Sequence, residues 1–238
     1  MRYNKIMKKF TSFLLITAFS ILPTSAIAQS IDILWQGGTY THPFYQGRTL
    51  WSQQSIVTFL AVPQGLGNPA NLDYVWSKNG TVLGNLSGVG RNSISLLDSI
   101  FSKPVVIKVE IVRGEEELLA DTSIILTPTS PTLAVYENNP LYGFMFHREV
   151  GEGYTLEGKE VTFTAFPFFA PSTKRQAPNL SYKWSANNNA AEAGGSVTYR
   201  APEEGGGRAS IRLDFNNDKV IMLNQSKDFL IKFGNENE

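Results

Sequence analysis

The chain has 238 residues, with 21 basic and 21 acidic side chains and no cysteine. The missing thiols exclude thiol catalysis, thiolate metal sites, a lipid-modified cysteine and the inter-sheet disulfide of antibody-type domains. Balanced charge without a long basic run excludes a phosphate-tracking patch, so no nucleic acid is expected as a partner.

Residues 1–28 read as an export signal. Arg2, Lys5, Lys8 and Lys9 form a basic start, Phe10 to Leu22 is mostly apolar, and Ala26-Ile27-Ala28 supplies the small residues of a cleavage site before Gln29. The expected location is outside the cytoplasm: periplasmic, cell-surface or secreted and bacterial. An uncleaved anchor formed by residues 10–28 is the alternative, and only then would the chain meet a membrane. Without the signal, 17 basic residues stand against 21 acidic ones, a net of −4.

The remainder repeats itself. Val57-Thr58-Phe59-Leu60-Ala61-Val62-Pro63 returns as Val161-Thr162-Phe163-Thr164-Ala165-Phe166-Pro167, and Ile107-Lys108-Val109-Glu110-Ile111 as Ile211-Arg212-Leu213-Asp214-Phe215, both 104 positions later. Between them Leu72-Asp73-Tyr74-Val75-Trp76-Ser77 returns as Leu180-Ser181-Tyr182-Lys183-Trp184-Ser185, offset by 108. An offset that slips by a loop's length and recovers fits one duplicated scaffold of β-sandwich size. The expected units are a first domain over 29–126, a stiff proline-containing connector over 127–131 with few contacts across it, and a second domain over 132–238.

Within each unit the hydrophobic period is two, as in Val57, Phe59, Ala61 or Ile211, Leu213, Phe215. That period puts one face of each strand in a core and the other in water. Turn signals separate the runs at Lys78-Asn79-Gly80, Arg113-Gly114, Asn187-Asn188-Asn189, Gly205-Gly206-Gly207 and Asn216-Asn217-Asp218. The fold class is all-β: two tandem immunoglobulin-like β-sandwiches after the N-terminal signal helix. The expected core is Phe59, Tyr74 and Trp76 in the first unit and Phe163, Tyr182 and Trp184 in the second.

A strand reading Leu-x-Tyr-x-Trp, followed in the first unit by Asn79-Gly80, resembles that of bacterial immunoglobulin-like domains, closest to the PKD-type and fibronectin-type members. The resemblance implies a sandwich anchored on the tryptophan of its third strand, Trp76 and Trp184 here. The Gly-Asp-Gly that often follows in PKD-type repeats is replaced by Ser77-Lys78-Asn79-Gly80 and Ser185-Ala186-Asn187-Asn188. The chain is also similar to small exported proteins of reduced-genome bacteria linked to pilus or cell-surface roles.

Catalysis has little material, with His42 and His147 the only histidines, one per unit. No catalytic, metal or cofactor residues are assigned and no enzymatic activity is expected. Asp214, Asn216, Asn217 and Asp218 match no calcium loop and read as a solvated turn. Glu115-Glu116-Glu117 reads as a wet hairpin tip.

Two aromatic segments are the candidate partner surfaces. The first holds Trp35, Tyr40, Phe44, Tyr45 and Trp51, and the second Tyr142, Phe144 and Phe146. Flat rings give much contact area at small entropic cost, which suits a protein or glycan partner at the cell envelope. The competing reading tucks these rings under the sandwich edges. Phe166, Phe168 and Phe169 form a third cluster, expected to close the core or the contact between domains. The leading function is a non-enzymatic exported module that presents loops or strand edges to an envelope protein, in a pilus or secretion context. The alternative, a carbohydrate-binding or enzyme-accessory module, requires Trp35, Tyr45 and Trp51 to be open and coplanar.

Overall fold

The computed structural model describes residues 29–101, 103–114, 117–189, 192–203, 205–221 and 223–234. Residues 1–28, where the sequence leads one to expect an export signal, lie outside them, as do Glu115, Glu116 and the last four residues. No α-helix occurs among the described residues, where short 3-10 turns at Pro69–Asn71 and Gly84–Leu86 interrupt an otherwise all-β chain.

The first sandwich contains β1 (Ser30–Gly37), β2 (Ile56–Gln64), β3 (Asp73–Lys78), β4 (Thr81–Val82), β5 (Gly88–Val89), β6 (Ser93–Leu97), β7 (Val105–Arg113) and β8 (Glu117–Leu126). One sheet runs β1-β2-β6 and the other β4-β3-β7-β8, with β5 against β3. The second sandwich contains β9 (Thr132–Asn139), β10 (Gly143–Glu149), β11 (Gly153–Leu156), β12 (Glu160–Phe168), β13 (Leu180–Ala186), β14 (Glu192–Ala193), β15 (Ser196–Arg200), β16 (Gly207–Asn217) and β17 (Asn224–Phe233). Its sheets run β10-β9-β12-β15 and β11-β17-β16-β13-β14. The shared order places the first, second and fifth strands of the immunoglobulin pattern on one sheet and the third, sixth and seventh on the other.

Each sandwich closes on its own core, running from Ile31 to Leu126 in the first and from Leu133 to Ile231 in the second. Phe59, Tyr74, Trp76, Phe163, Tyr182 and Trp184 are all buried there. The two copies satisfy the polar tips of these rings alike. Trp76 Nε1 donates to the Arg91 carbonyl and Trp184 Nε1 to the Gly194 carbonyl, each at 2.8 Å. The Tyr74 hydroxyl donates to the Pro69 carbonyl at 3.1 Å and the Tyr182 hydroxyl to the Arg175 carbonyl at 2.6 Å. A ring can enter a core this deeply only if its N–H or O–H finds an acceptor.

The turn after the tryptophan strand is also duplicated. Asn79 and Asn187 adopt φ of 52° and 49°, a left-handed geometry that asparagine tolerates. Each side chain then accepts a backbone N–H from the neighbouring strand, Val106 at 2.8 Å and Ser210 at 2.9 Å. Even the wet faces correspond. Lys108 pairs with Glu110 and Asp121 on the first sandwich, and Arg212 with Asp214 and Asp228 on the second.

The copies diverge between their first and second strands. In the second sandwich this stretch folds back as β10 and then crosses as β11 to pair in parallel with β17. In the first it leaves the sheet as a loop. Gly37 N–H donates to the Thr49 carbonyl at 2.9 Å and the Thr39 hydroxyl to the Leu50 carbonyl at 2.7 Å, which closes the loop's neck. A side chain at position 37 would put its Cβ 2.2 Å from the Leu50 oxygen, so only glycine permits this approach.

The connector is held on both sides. Thr129 N–H donates to the Trp51 carbonyl at 2.8 Å, while the Gln225 side chain donates to the Pro131 carbonyl. The expectation of few contacts across it fails, because the loop ahead of β2 and the connector are both bound to their neighbours. The turn at 214–218 is another departure from expectation. Asn217 is buried rather than solvated; it accepts from Asn179 Nδ2 at 2.8 Å and donates to the Pro171 carbonyl at 3.3 Å, joining the two loops at the upper end of the second sandwich.

Candidate functional site

The tip of the first sandwich's loop, residues 40–48, reaches the second sandwich and docks there by backbone as well as by rings. Tyr40 N–H donates to the Ala170 carbonyl at 3.0 Å, and Phe169 N–H donates back to the Tyr40 carbonyl at 2.7 Å. Phe169 sits at φ 58°, where a bulky residue is strained, so the surrounding contacts must hold it.

The rings behind these bonds form one continuous cluster. His42 stacks on Phe146 at 5.1 Å and meets Phe168 edge-on at 5.5 Å. Tyr40 lies parallel to Phe168 at 6.4 Å, and Tyr45 is edge-on to Phe169 at 5.8 Å. Phe166 takes Tyr136, Phe144 and Phe146 edge-on at 5.1–5.6 Å, with the Arg175 guanidinium 5.3 Å from its centroid. Edge-to-face contacts of this kind each add about 0.5–1.5 kcal/mol beyond burial. Burial pushes the Tyr40 hydroxyl's pKa up, partly opposed by the charge of Arg175.

This cluster lies on the outer face of the β9–β12 pair. Strand alternation assigns Phe166 and its partner Ala134 to that face, yet each is only 2% exposed. β12 therefore loses its in–out pattern over residues 163–167, where both faces are covered.

The candidate rings separate into three groups. Trp51 is 2% exposed within the first core, and Tyr40 is buried at the junction, so neither meets an outside partner in the folded chain. Trp35, Tyr45 and Phe146 are half-buried: Arg48 lies 4.7 Å over the Trp35 ring, and Tyr45 donates its hydroxyl to the Arg48 carbonyl. Phe44, Tyr142 and Phe144 face solvent at 75%, 77% and 38%. Phe44 and Phe144 both touch Phe146, so this exposed ridge continues the buried cluster. Trp35, Tyr45 and Trp51 thus offer no open set of ring faces, and the sugar-stacking arrangement expected of them is absent.

The histidines are separated. His42 is enclosed by rings, and its Nδ1 accepts the Phe44 N–H at 3.2 Å. His147 borders a cleft of 370 Å³ that also holds Glu137, Tyr154 and Glu157. There the Tyr154 hydroxyl donates to Glu137 at 2.7 Å, and burial first, then that bond, holds its pKa up at about 12. Asn139 supplies a second donor to Glu137 at 3.0 Å, while the His147 side chain makes no hydrogen bond among the described residues. No group of three or more potential metal ligands is found among the described residues.

No protein-family model matches this chain, and neither does any curated protein. Among solved structures it is similar to the fibronectin(III)-like modules of Clostridium thermocellum CbhA, with 10% identity over 85% of this chain and 94% of that one and a TM-score of 0.27. The central fibronectin-III array of RIM-binding protein gives 14% identity over 78% and 67%, with a TM-score of 0.26. A mutant of CfaE, the CFA/I adhesin of enterotoxigenic E. coli, gives 6% identity over 91% and 90%, with a TM-score of 0.27.

Proposed function

We propose that this chain is an exported, non-enzymatic binding module in which two immunoglobulin-like domains, residues 29–126 and 132–238, act as one stiff body. Its partner is a protein of the cell envelope. The observation that carries this reading is the division of the aromatic residues. The buried members lock the two sandwiches together, while Phe44 and Phe144, both against Phe146, stay open to solvent and Tyr142 stands exposed at the turn of the same β9–β10 hairpin. Leu141, 85% exposed, extends the ridge at the tip of the β9–β10 hairpin. Exposed apolar surface next to a rigid aromatic base is where partner proteins gain most of their binding energy.

The test is capture from the native envelope with a photo-crosslinking residue at position 142, compared with one at position 230 on the far side of the same sandwich. A partner protein captured at 142 and lost with Phe44→Ser supports the reading. Equal capture at both positions, or none, overturns it. N-terminal sequencing of the same material should begin at Gln29; a sequence that begins at Met1 supports the anchored alternative instead.

A further inference from the structure

The outer face of the β1-β2-β6 sheet is the counterpart of the face that the second sandwich covers with rings. In the first sandwich it is bare. Leu34 lies opposite Leu60, and Ile56 opposite Leu97, with exposures of 51%, 39%, 51% and 69%. Between these pairs Thr58 and Ser95 share a hydrogen bond of 2.9 Å, as Thr162 and Thr198 do at the matching position of the second sandwich at 2.8 Å. The two faces therefore share a layout and differ in what covers them.

Charge marks what fits the bare face. Asp32 projects on it two residues before Leu34, and its bond is to a neutral group, the Gln64 amide at 3.0 Å. Arg48 stands at the other end, beyond Gln36, laid on the Trp35 ring. Neither has an ion-pair partner among the described residues. Leu34, Leu60, Trp35 and Arg48 border an open groove of 720 Å³ between these charges. Asp32 and Gln36 are four residues apart, about 13 Å along a strand.

We infer that this face is the interface of a homodimer, in which a second copy packs sheet on sheet across a two-fold axis through the Leu34–Leu60 pair. The axis brings Arg48 of each copy to Asp32 of the other, sets leucine against leucine, and closes each groove with the partner's aliphatic residues. An acidic partner would satisfy Arg48 and leave Asp32 facing its own sign; a basic one would do the reverse. A second copy answers both charges, which is the self-complementarity an isologous interface requires. Sheets in face contact pack about 10 Å apart, close enough to exclude water from the Leu34 and Leu60 side chains. The interface lies on a different surface from the Phe44–Tyr142 ridge, so either assignment can fail without the other.

The test is sedimentation velocity of the protein purified from its native host, over a concentration series at low salt. The wild type should pass from monomer to dimer as concentration rises. Leu34→Asp should raise the dimer dissociation constant at least about tenfold, the equivalent of ~1.4 kcal/mol. Arg48→Glu alone and Asp32→Lys alone should each raise it by a similar factor, whereas the two together should restore it to within about threefold of wild type. Circular dichroism checks that each variant is folded. A protein that stays monomeric throughout overturns the inference. So does a dimer indifferent to Leu34→Asp, or a double variant no tighter than the single ones.

Discussion

The side-chain amide of Gln54 and the backbone of Ile221 exchange two hydrogen bonds across the junction, Nε2 to the Ile221 carbonyl at 2.8 Å and the Ile221 N–H to Oε1 at 3.0 Å. Gln54 completes the pair from a left-handed backbone at φ 56°. Replacing it with Ala should lower stability by about 1–2 kcal/mol, since each net hydrogen bond contributes roughly 1 kcal/mol. Urea melts measure the loss, and cleavage of residues 127–131 by trypsin-independent, broad-specificity proteases should accelerate in parallel. An unchanged melt would show that water replaces the amide without cost.

The same junction governs how the two sandwiches unfold. Sandwiches joined by a thin connector would melt separately, but here paired backbone bonds, stacked rings and the Gln54 clamp span the contact. Trp184→Ala empties the centre of the second core and should cost about 3–5 kcal/mol. The first sandwich should lose stability with it, because its loop tip packs on Phe146, Phe168 and Phe169. Hydrogen exchange at β2 and β7 provides the measurement. Protection there that is unaltered in the variant would mean the two cores are independent.

Phe166 tests the covered outer face. A ring on the wet side of a strand costs little to remove, whereas one buried between Tyr136, Phe144 and Phe146 behaves as core. Phe166→Ala should therefore destabilise by about 3–5 kcal/mol. A loss below about 1 kcal/mol, typical of surface substitutions, would mean the cluster packs loosely.

The repeat made the sandwich cores legible, because alternation and the duplicated Tyr-x-Trp strand are local signals that the tertiary structure preserves. Trp51, by contrast, lies in a stretch with no period, and only the neck closed by Gly37 and Thr39 carries it into the first core. Phe166 and Phe168 did carry a trace: they occupy the outward positions where the first copy has Val62 and Gln64. The expected closure of a domain contact by Phe166, Phe168 and Phe169 is met, but nothing local in their sequence says that the loop at 40–48 is what lies opposite. Asn217 departs from the solvated turn that its neighbours suggest because burial of an asparagine depends on the loops it joins, which the adjacent sequence does not reveal.

Alkali should weaken the fold before any strand is broken by other means. Burial raises the hydroxyl pKa of Tyr199 to about 12, with Glu192 adding to it, and burial together with Glu137 raises Tyr154 to about 12. Tyr182 is raised further, chiefly by burial. The unfolded chain ionises these groups near 10.0, their ordinary value, while the folded chain keeps them protonated. Below that pH their contribution is complete; above it the unfolded state binds fewer protons, so stability falls as pH rises towards 12. Urea midpoints should decline over this window, and Tyr154→Phe should make the decline shallower. A midpoint constant from pH 9 to 11.5 would contradict the assignment.

Tyr199 separates the contribution of a ring from that of its hydroxyl. The ring packs against Phe163 at 6.3 Å, while the hydroxyl oxygen is buried without a hydrogen-bond partner among the described residues. A buried polar group left unpaired costs about 1–3 kcal/mol, so removing it spares the fold that penalty. Tyr199→Phe should leave stability unchanged or raise it by about 1 kcal/mol, while Tyr199→Ala should lower it by roughly 3 kcal/mol or more through the lost packing. The Phe variant should also titrate less steeply in alkali, because one of the groups that ionise on unfolding is gone. A clear loss of stability in Tyr199→Phe would instead place an ordered water on that hydroxyl, bridging it to a neighbouring carbonyl.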